Sequence, residues 1–328
     1  MRQPQVAAAL VALAAAFVLA APVAVAARGL VLSAAFLAEF LTDGRVPALT
    51  RLTAPPVAGA LDAGTDRYRP GGLAAGAPLV LVHGLTPQGK DDPRLQRAAR
   101  LLARAGFDVA VPTIPGLTRG RLRPDDARPV MAALAARREP ACLVSVSIGA
   151  APAFLAAADS AVAGRVRMLL ALGAHASALE LIRYHLAGND ASGDARRAPP
   201  HPELAQALIE ANAELADPAL RAALATGDPA SVEAAIVTLP PSTRSVMAQL
   251  SPAHVVALIR APIVLVHGRD DAAVPYTESL RLAAARPADT RVVLVGAIGH
   301  VEGAAAGLGA AGDLVRLLGV VYGLVVSR

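Results

Sequence analysis

Short, continuous apolar runs recur along the second half of the first hundred residues and beyond, each followed by a helical stretch. The runs are Pro78–Val82, Phe107–Pro112, Cys142–Val144, Val166–Leu172, Pro262–Val266 and Arg291–Val295. They are strand-length and lack the polar alternation of a half-exposed strand, so each reads as a strand buried on both faces. Between them lie helical patterns at Leu95–Ala105 (stopped by Gly106), Asp125–Arg138, Ala150–Ala158 and Tyr276–Ala285, and a closing helix at about Gly303–Val321. Strand and helix alternating in this way predict an α/β architecture: a mostly parallel sheet covered by helices on both faces. Two departures frame it. Residues 45–72 are rich in Pro, Gly and Thr, and read as a linker with short edge strands near Ala58–Leu61 and Arg67–Arg69. Residues at about 180–258 carry helical patterns and no convincing strand, which predicts a helical cap inserted before the penultimate strand of a 73–328 domain.

The N-terminal 1–44 segment has a different pattern. Val6–Ala27 is an uncharged run of 22 residues, long enough to cross a hydrocarbon core of roughly 30 Å as a helix. It also reads as a signal peptide, with Arg2 as n-region, Val6–Ala20 as h-region and Ala24-Val25-Ala26 as a small-residue cleavage site. A buried N-terminal helix is the third reading. Apolar character resumes from Gly29 to Leu41 and closes at Glu39 and Asp43, which favours a retained anchor or a helix lying on the membrane over clean cleavage. The expected location is a membrane-anchored chain with an extracytoplasmic catalytic domain, or a secreted one if the segment is cleaved.

Composition narrows the classes. Hydrophobic residues make up 55% and charged ones 17%, which excludes extensive disorder. The net charge is +5, but Lys90 is the sole lysine and the arginines are scattered, so no nucleic-acid partner is expected. Cys142 is alone, which removes internal disulfides and cysteine metal clusters; it reads as a small buried hydrophobe. His175, His185, His201 and His254 have no ligand spacing, and no metal or other cofactor is expected.

The chemistry gathers where parallel strands end, since ligands of such sheets bind outside the carboxyl ends. After the third core strand, Ser145-Val146-Ser147-Ile148-Gly149 leads into an Ala-rich helix. Strand, tight turn, Ser and helix make the layout of a nucleophile elbow, with Ser145 where G-x-S-x-G has its first Gly. An N-capping serine is the alternative. GRDDAAVP, with Asp271, follows the next-to-last strand, and Gly299-His300 follows the last. With LVLVHG, containing His83 and Gly84, these stretches make the chain resemble the α/β-hydrolase superfamily over about Leu73 to Val326.

That resemblance implies a serine hydrolase cleaving an ester or related acyl bond of a small-molecule acyl substrate. Ser147 would be the nucleophile, His300 the base and Asp271 its orienting partner. The oxyanion hole would come from the backbone N–H groups of Ile148 and Leu85, with Thr86 as a further side-chain donor to substrate. Alternatives on the same fold are an extracytoplasmic serine peptidase, a haloperoxidase-like member, or a non-catalytic binding or membrane-associated protein. His83 and His267 are expected to shape loops, Asp270 to be a loop or capping group, and the Asp91-Asp92 pair, near the oxyanion loop, to sit in a solvated turn. Tyr184 and His185 of the cap could face substrate, with a helix surface favoured.

Overall fold

The computed structural model describes residues 23–72, 76–187, 210–212, 218, 221–222, 228–296 and 310–327. Eight strands form one sheet: β1 Val57–Asp62, β2 Thr65–Arg69, β3 Ala77–Val82, β4 Phe107–Pro112, β5 Ala141–Val146, β6 Val166–Leu172, β7 Ile263–Gly268 and β8 Thr290–Val295. Their order is β1-β2-β4-β3-β5-β6-β7-β8. β1 and β2 are antiparallel edge strands, and β2 meets β4 antiparallel. From β4 onward all pairings are parallel. The expected core strands are therefore present, most within two residues of their expected ends, and β5 runs on to Val146 where the sequence reading stopped at Val144.

Strand periodicity sorts each apolar run between two cores. Val80, Val82, Leu143, Leu169, Ala171, Ile263 and Leu265 point to one face. There they meet helices α4 (Ala127–Ala135) and α5 (Ala150–Ala158). Leu79, Leu81, Cys142, Val144, Leu170 and Val266 point to the other. Among the described residues that face is covered mainly by α1 (Val23–Leu41), α3 (Pro93–Arg104) and the C-terminal α10 (Ala310–Val326), with Leu49 of a short helix joining them. α10 continues five residues past its expected end.

α1 has two halves. Val23 to Arg28 are exposed, whereas Leu32, Ala35, Phe36 and Leu37 join the core with Leu317, Val320, Leu324 and Val325 of α10. A Cβ on Gly29 would come within 3.1–3.2 Å of Val326 and Tyr322, so a glycine there lets the two helices close. The buried carboxylate of Glu39 accepts hydrogen bonds from the Thr50 N–H (2.8 Å) and hydroxyl (2.6 Å). These bonds tie α1 to the short helix α2 (Ala48–Leu52). By length and composition α1 could cross a membrane, but a third of its most apolar window is buried against the fold. The 29–41 stretch, expected as a continued anchor or a helix lying on a membrane, thus supplies part of the hydrophobic core.

Between β6 and β7, the described residues of the cap include α6 (Ala178–Ala187), α7 (Pro229–Val237) and α8 (Pro241–Gln249). The remaining helix, α9 (Thr277–Ala285), links β7 to β8. At the root of the cap, the buried Glu278 carboxylate accepts from the Ala176 and Ser177 N–H groups at 2.8 and 2.9 Å. The cap's first helix is therefore pinned to α9 beside the carboxyl edge of the sheet.

Candidate active site

β5 ends at Val146, and Ser147 follows with φ of +54°, one of two described non-glycine residues at positive φ. That left-handed backbone turns the chain sharply from strand to α5, and for a residue with a Cβ it carries a strain of about 1–2 kcal/mol. The turn also depends on two close approaches. A Cβ on Gly149 would lie 2.2 Å from the His83 carbonyl oxygen. A Cβ on Gly84 would lie 3.1 Å from the Val146 carbonyl and 3.2 Å from the Ser147 Cβ. Gly149 is therefore a steric requirement and Gly84 a tight fit, and together they let the turn after β3 touch the elbow after β5. Ser145 stands where the elbow pattern has its first Gly. It is fully buried between Val82 and Ala171 of the neighbouring strands, and a side chain as small as Ser fits. Its Oγ has no hydrogen-bond partner among the described residues.

His83 fixes the peptide that follows it. Its Nε2 lies 2.9 Å from the Ile114 N–H and must accept, so the proton sits on Nδ1 and is donated to the Gly84 carbonyl at 2.7 Å. In a trans peptide the N–H points opposite to the carbonyl, so this bond turns the Leu85 N–H away from His83. Burial pushes the His83 pKa below its usual value, against the opposing pull of the Gly84 bond and Asp92, which favours the neutral ring this pattern needs. Its loop-shaping role has a specific geometry: it sets the plane of the Gly84–Leu85 peptide.

Thr86 is also committed. Its hydroxyl lies 2.9 Å from Asp92 Oδ2 and 2.8 Å from Gln88 Oε1, both acceptors for its proton. A hydroxyl has one proton to give, so the expected donation from Thr86 to substrate competes with a buried carboxylate. Asp92 departs from the expected solvated turn. It is 4% exposed and N-caps α3, accepting from the Arg94 N–H at 2.8 Å. Burial raises its pKa, but the bonds from Arg94 and Thr86 outweigh burial and hold it at about 2. Asp91 remains exposed, paired with Lys90.

Asp271 lies in the loop after β7 and is 1% exposed. Its Oδ1 accepts from the N–H groups of Ala273 (2.9 Å) and Val274 (2.8 Å), which closes the loop around the carboxylate. His267 supports the same loop: Nε2 donates to the Val274 carbonyl at 2.8 Å and lies 3.4 Å from Asp271 Oδ2, while Nδ1 meets the Ser279 hydroxyl at 2.7 Å. Asp270 is exposed. His300 lies outside the described residues. The ends that bracket its segment are joined, since the Gly296 N–H donates to Asp313 Oδ2 of α10 at 2.6 Å.

A cavity of about 600 Å³ opens at this edge, in the size range of small-molecule sites. Ser147, Ile148, Gly84, Leu85, Thr86 and Asp92 line it, and so do Ala273 and Val274 from the Asp271 loop. The structure thus gathers the nucleophile candidate and both expected oxyanion-hole residues around one space. His185 lines it too. Contrary to the expected helix surface, Tyr184 and His185 are 0% and 2% exposed, and His185 Nε2 donates to the Ala273 carbonyl at 2.8 Å. The sequence places the Asp91-Asp92 pair near the oxyanion loop and lets His185 face substrate, but favours a solvated turn and a helix surface; the structure puts Asp92 and His185 in the wall of the site. For Asp92 a signal existed: Asp-Pro ahead of a helical run is an N-cap followed by proline at the first helical position. Among the described residues no cluster of His, Cys, Asp and Glu could hold a metal ion.

No family model matches the chain, and no curated protein matches it in sequence. Solved structures do match. An acylaminoacyl peptidase from Pyrococcus horikoshii is 12% identical over 84% of this chain and 42% of its own, with a TM-score of 0.50. A puromycin-hydrolyzing peptidase from Mycobacterium tuberculosis is 17% identical over 86% of this chain and 40% of its own, at TM-score 0.49. A truncated carbohydrate esterase from gut microbiota is 13% identical over 83% of this chain and 96% of its own, at TM-score 0.47. The chain spans about two fifths of the length of the first peptidase structures it matches. At such identities the likeness speaks for architecture alone. Together with the strand order and the elbow after β5, it assigns this chain the α/β-hydrolase fold.

Proposed function

We propose that this protein is a serine hydrolase that cleaves an ester or related acyl bond through an acyl-enzyme. The observation that carries the reading is Ser147, at positive φ in a turn packed against Gly84 and His83 and opening on the cavity. An ordinary N-capping serine needs no left-handed backbone, and its strain is the kind retained at functional sites.

In the proposed reaction Ser147 Oγ attacks the acyl carbonyl carbon while its proton passes to His300. The tetrahedral oxygen takes up the negative charge, held by the Leu85 and Ile148 N–H groups; one such donor contributes roughly 3–4 kcal/mol of barrier lowering. Asp271 keeps the imidazole oriented and stabilises its charged form. Collapse breaks the bond to the leaving group, which departs with the proton from His300. Water then attacks the acyl-enzyme and gives a proton to His300; collapse breaks the bond to Ser147 Oγ, which takes that proton back from His300, and the acid leaves.

The apolar cavity favours an acyl ester over a peptide, and no cofactor enters the scheme. We assign the N-terminal segment the role of membrane anchor with an extracytoplasmic catalytic domain; fractionation with N-terminal sequencing tests that. The chemistry is tested by fluorophosphonate labelling and p-nitrophenyl ester turnover of wild type, Ser147→Ala and His300→Ala. Both signals should vanish in the folded variants. Folded wild type that neither labels nor turns over would overturn the reading.

A further inference from the structure

The cavity is deeper than a site for the scissile bond requires. Along β5 it reaches from Ser147 back to Val144, a descent of about 10 Å below the nucleophile. Along α3 it follows Leu95, Ala98 and Leu102, seven residues or again about 10 Å of helix. α3 starts at the carboxyl edge and runs back along the sheet, so Leu102 marks the deep end and Ala98 the middle.

Among the described residues the polar groups stay at the mouth, where His83, Ser147, Thr86, Asp92, Arg94 and His185 stand at strand ends, the start of α3 and the cap. Below them the walls are hydrocarbon: Leu81, Val144 and Leu170 from the sheet, Leu102 from α3, Leu317 from α10 and Phe36 from α1. Phe36 stacks on Phe40 with ring centroids 5.9 Å apart, and both rings face the cavity. The space therefore descends from the nucleophile between the sheet and a roof of α1, α3 and α10. It does not end under the cap.

We infer that this space is an acyl channel and that the substrate carries a long, linear hydrocarbon acyl chain, with α1 forming part of the channel wall. The inference rests on the serine-hydrolase reading. An elongated apolar pocket whose described residues offer no polar group below its mouth gives nothing to a sugar or a peptide backbone, whose buried donors and acceptors would go unpaired. A methylene chain leaves nothing unpaired and gains from every carbon removed from water. It also gives α1 a second duty: the helix that reads as an anchor lines the site its neighbouring membrane would supply with substrate.

The test is a series of p-nitrophenyl butyrate, octanoate and laurate on the full chain. A second arm measures displacement of cis-parinaric acid from Ser147→Ala, which needs no catalysis. The expected kcat/KM rises with chain length, by about fourfold for each methylene that leaves water, until the channel is full. Ala98→Trp, which places a large side chain midway, should lower the laurate-to-butyrate ratio at least tenfold. Laurate should displace the probe from Ser147→Ala, and butyrate should not. A flat or falling series on protein whose Ser147 labels with fluorophosphonate would overturn the channel and leave the hydrolase standing. So would an unchanged ratio in folded Ala98→Trp. If Ser147 does not label, the hydrolase reading falls, and parinarate displacement alone decides the channel: displacement by laurate supports it, no displacement overturns it.

Discussion

Replacing Ser147 by Gly should make the protein more stable than replacing it by Ala. At an ordinary helical position the order is reversed, with Gly about 1 kcal/mol worse than Ala because it leaves more freedom in the unfolded chain. Ser147 sits at φ of +54°, where a Cβ crowds the following carbonyl. Ala keeps that Cβ and its cost of about 1–2 kcal/mol, whereas Gly sheds it. Setting this gain against an entropy loss of about 0.5–1 kcal/mol leaves Gly ahead by up to about 1.5 kcal/mol. Both variants lose the hydroxyl, so the comparison cancels whatever the side chain contacts. The assay is urea unfolding followed by far-UV circular dichroism, with Ala132→Gly on the exposed face of α4 as the reference for an ordinary helical site. Ala132→Gly should lose about 1 kcal/mol. If Ser147→Gly is also the less stable member of its pair, the elbow is not strained, and the main argument for a nucleophile falls with it.

Three further outcomes follow from the same geometry. Gly149→Ala forces a methyl into the His83 carbonyl and should cost about 2–3 kcal/mol and slow fluorophosphonate labelling at least tenfold; Gly164→Ala, with open space around its Cβ, should leave labelling unchanged and stability equal or higher, by up to about 1 kcal/mol. Asp271→Asn can still accept the Ala273 and Val274 N–H bonds through its amide oxygen, so melting should shift little while ester turnover drops by roughly 10⁴-fold; equal losses in both would make Asp271 a structural residue. Asp92 has its pKa lowered from 3.8 to about 2 in the folded chain, so its contribution to stability is present above pH 3.8 and is lost as pH falls through about 2. The stability difference between wild type and Asp92→Asn should therefore shrink as pH falls from 4 to 2; a difference that stays constant across that window would remove the ionic role of Asp92.

The strands were legible because burial on both faces leaves a simple trace, a short unbroken apolar run ended by a small residue. The elbow was legible because turn sterics restrict residue choice: Gly149 has no alternative beside the His83 carbonyl. What the sequence hid were polar side chains whose partners lie far along the chain or in another element. His185 is buried because the Ala273 carbonyl, 88 residues on, takes its Nε2 proton. Asp91 and Asp92 look alike in sequence, yet one is exposed and the other is an N-cap holding Thr86. Burial of a charge follows its partners, and partners are a property of the fold.

The same reasoning explains why α1 could be read as an anchor. A helix that is apolar all round carries no record of which side it buries, because the 3.6-residue contrast that marks a face is missing. Leu32, Ala35, Phe36 and Leu37 are buried while Leu30 and Val31 are 49% and 54% exposed, a division that hydropathy alone does not draw. The telling residue is Glu39. A carboxylate near the end of an apolar run reads as the place where a span meets water, yet here it is 6% exposed and satisfied by Thr50, eleven residues later. Leaving a membrane would exchange that carboxylate's partners for water at little cost. Detaching α1 from this fold would strip a buried carboxylate of two hydrogen bonds and open the core around Leu317 and Leu324. Residues 29–41 are thus bound to the domain whatever precedes them, and any anchoring role falls to the exposed turns from Val23 to Arg28 and the residues before them.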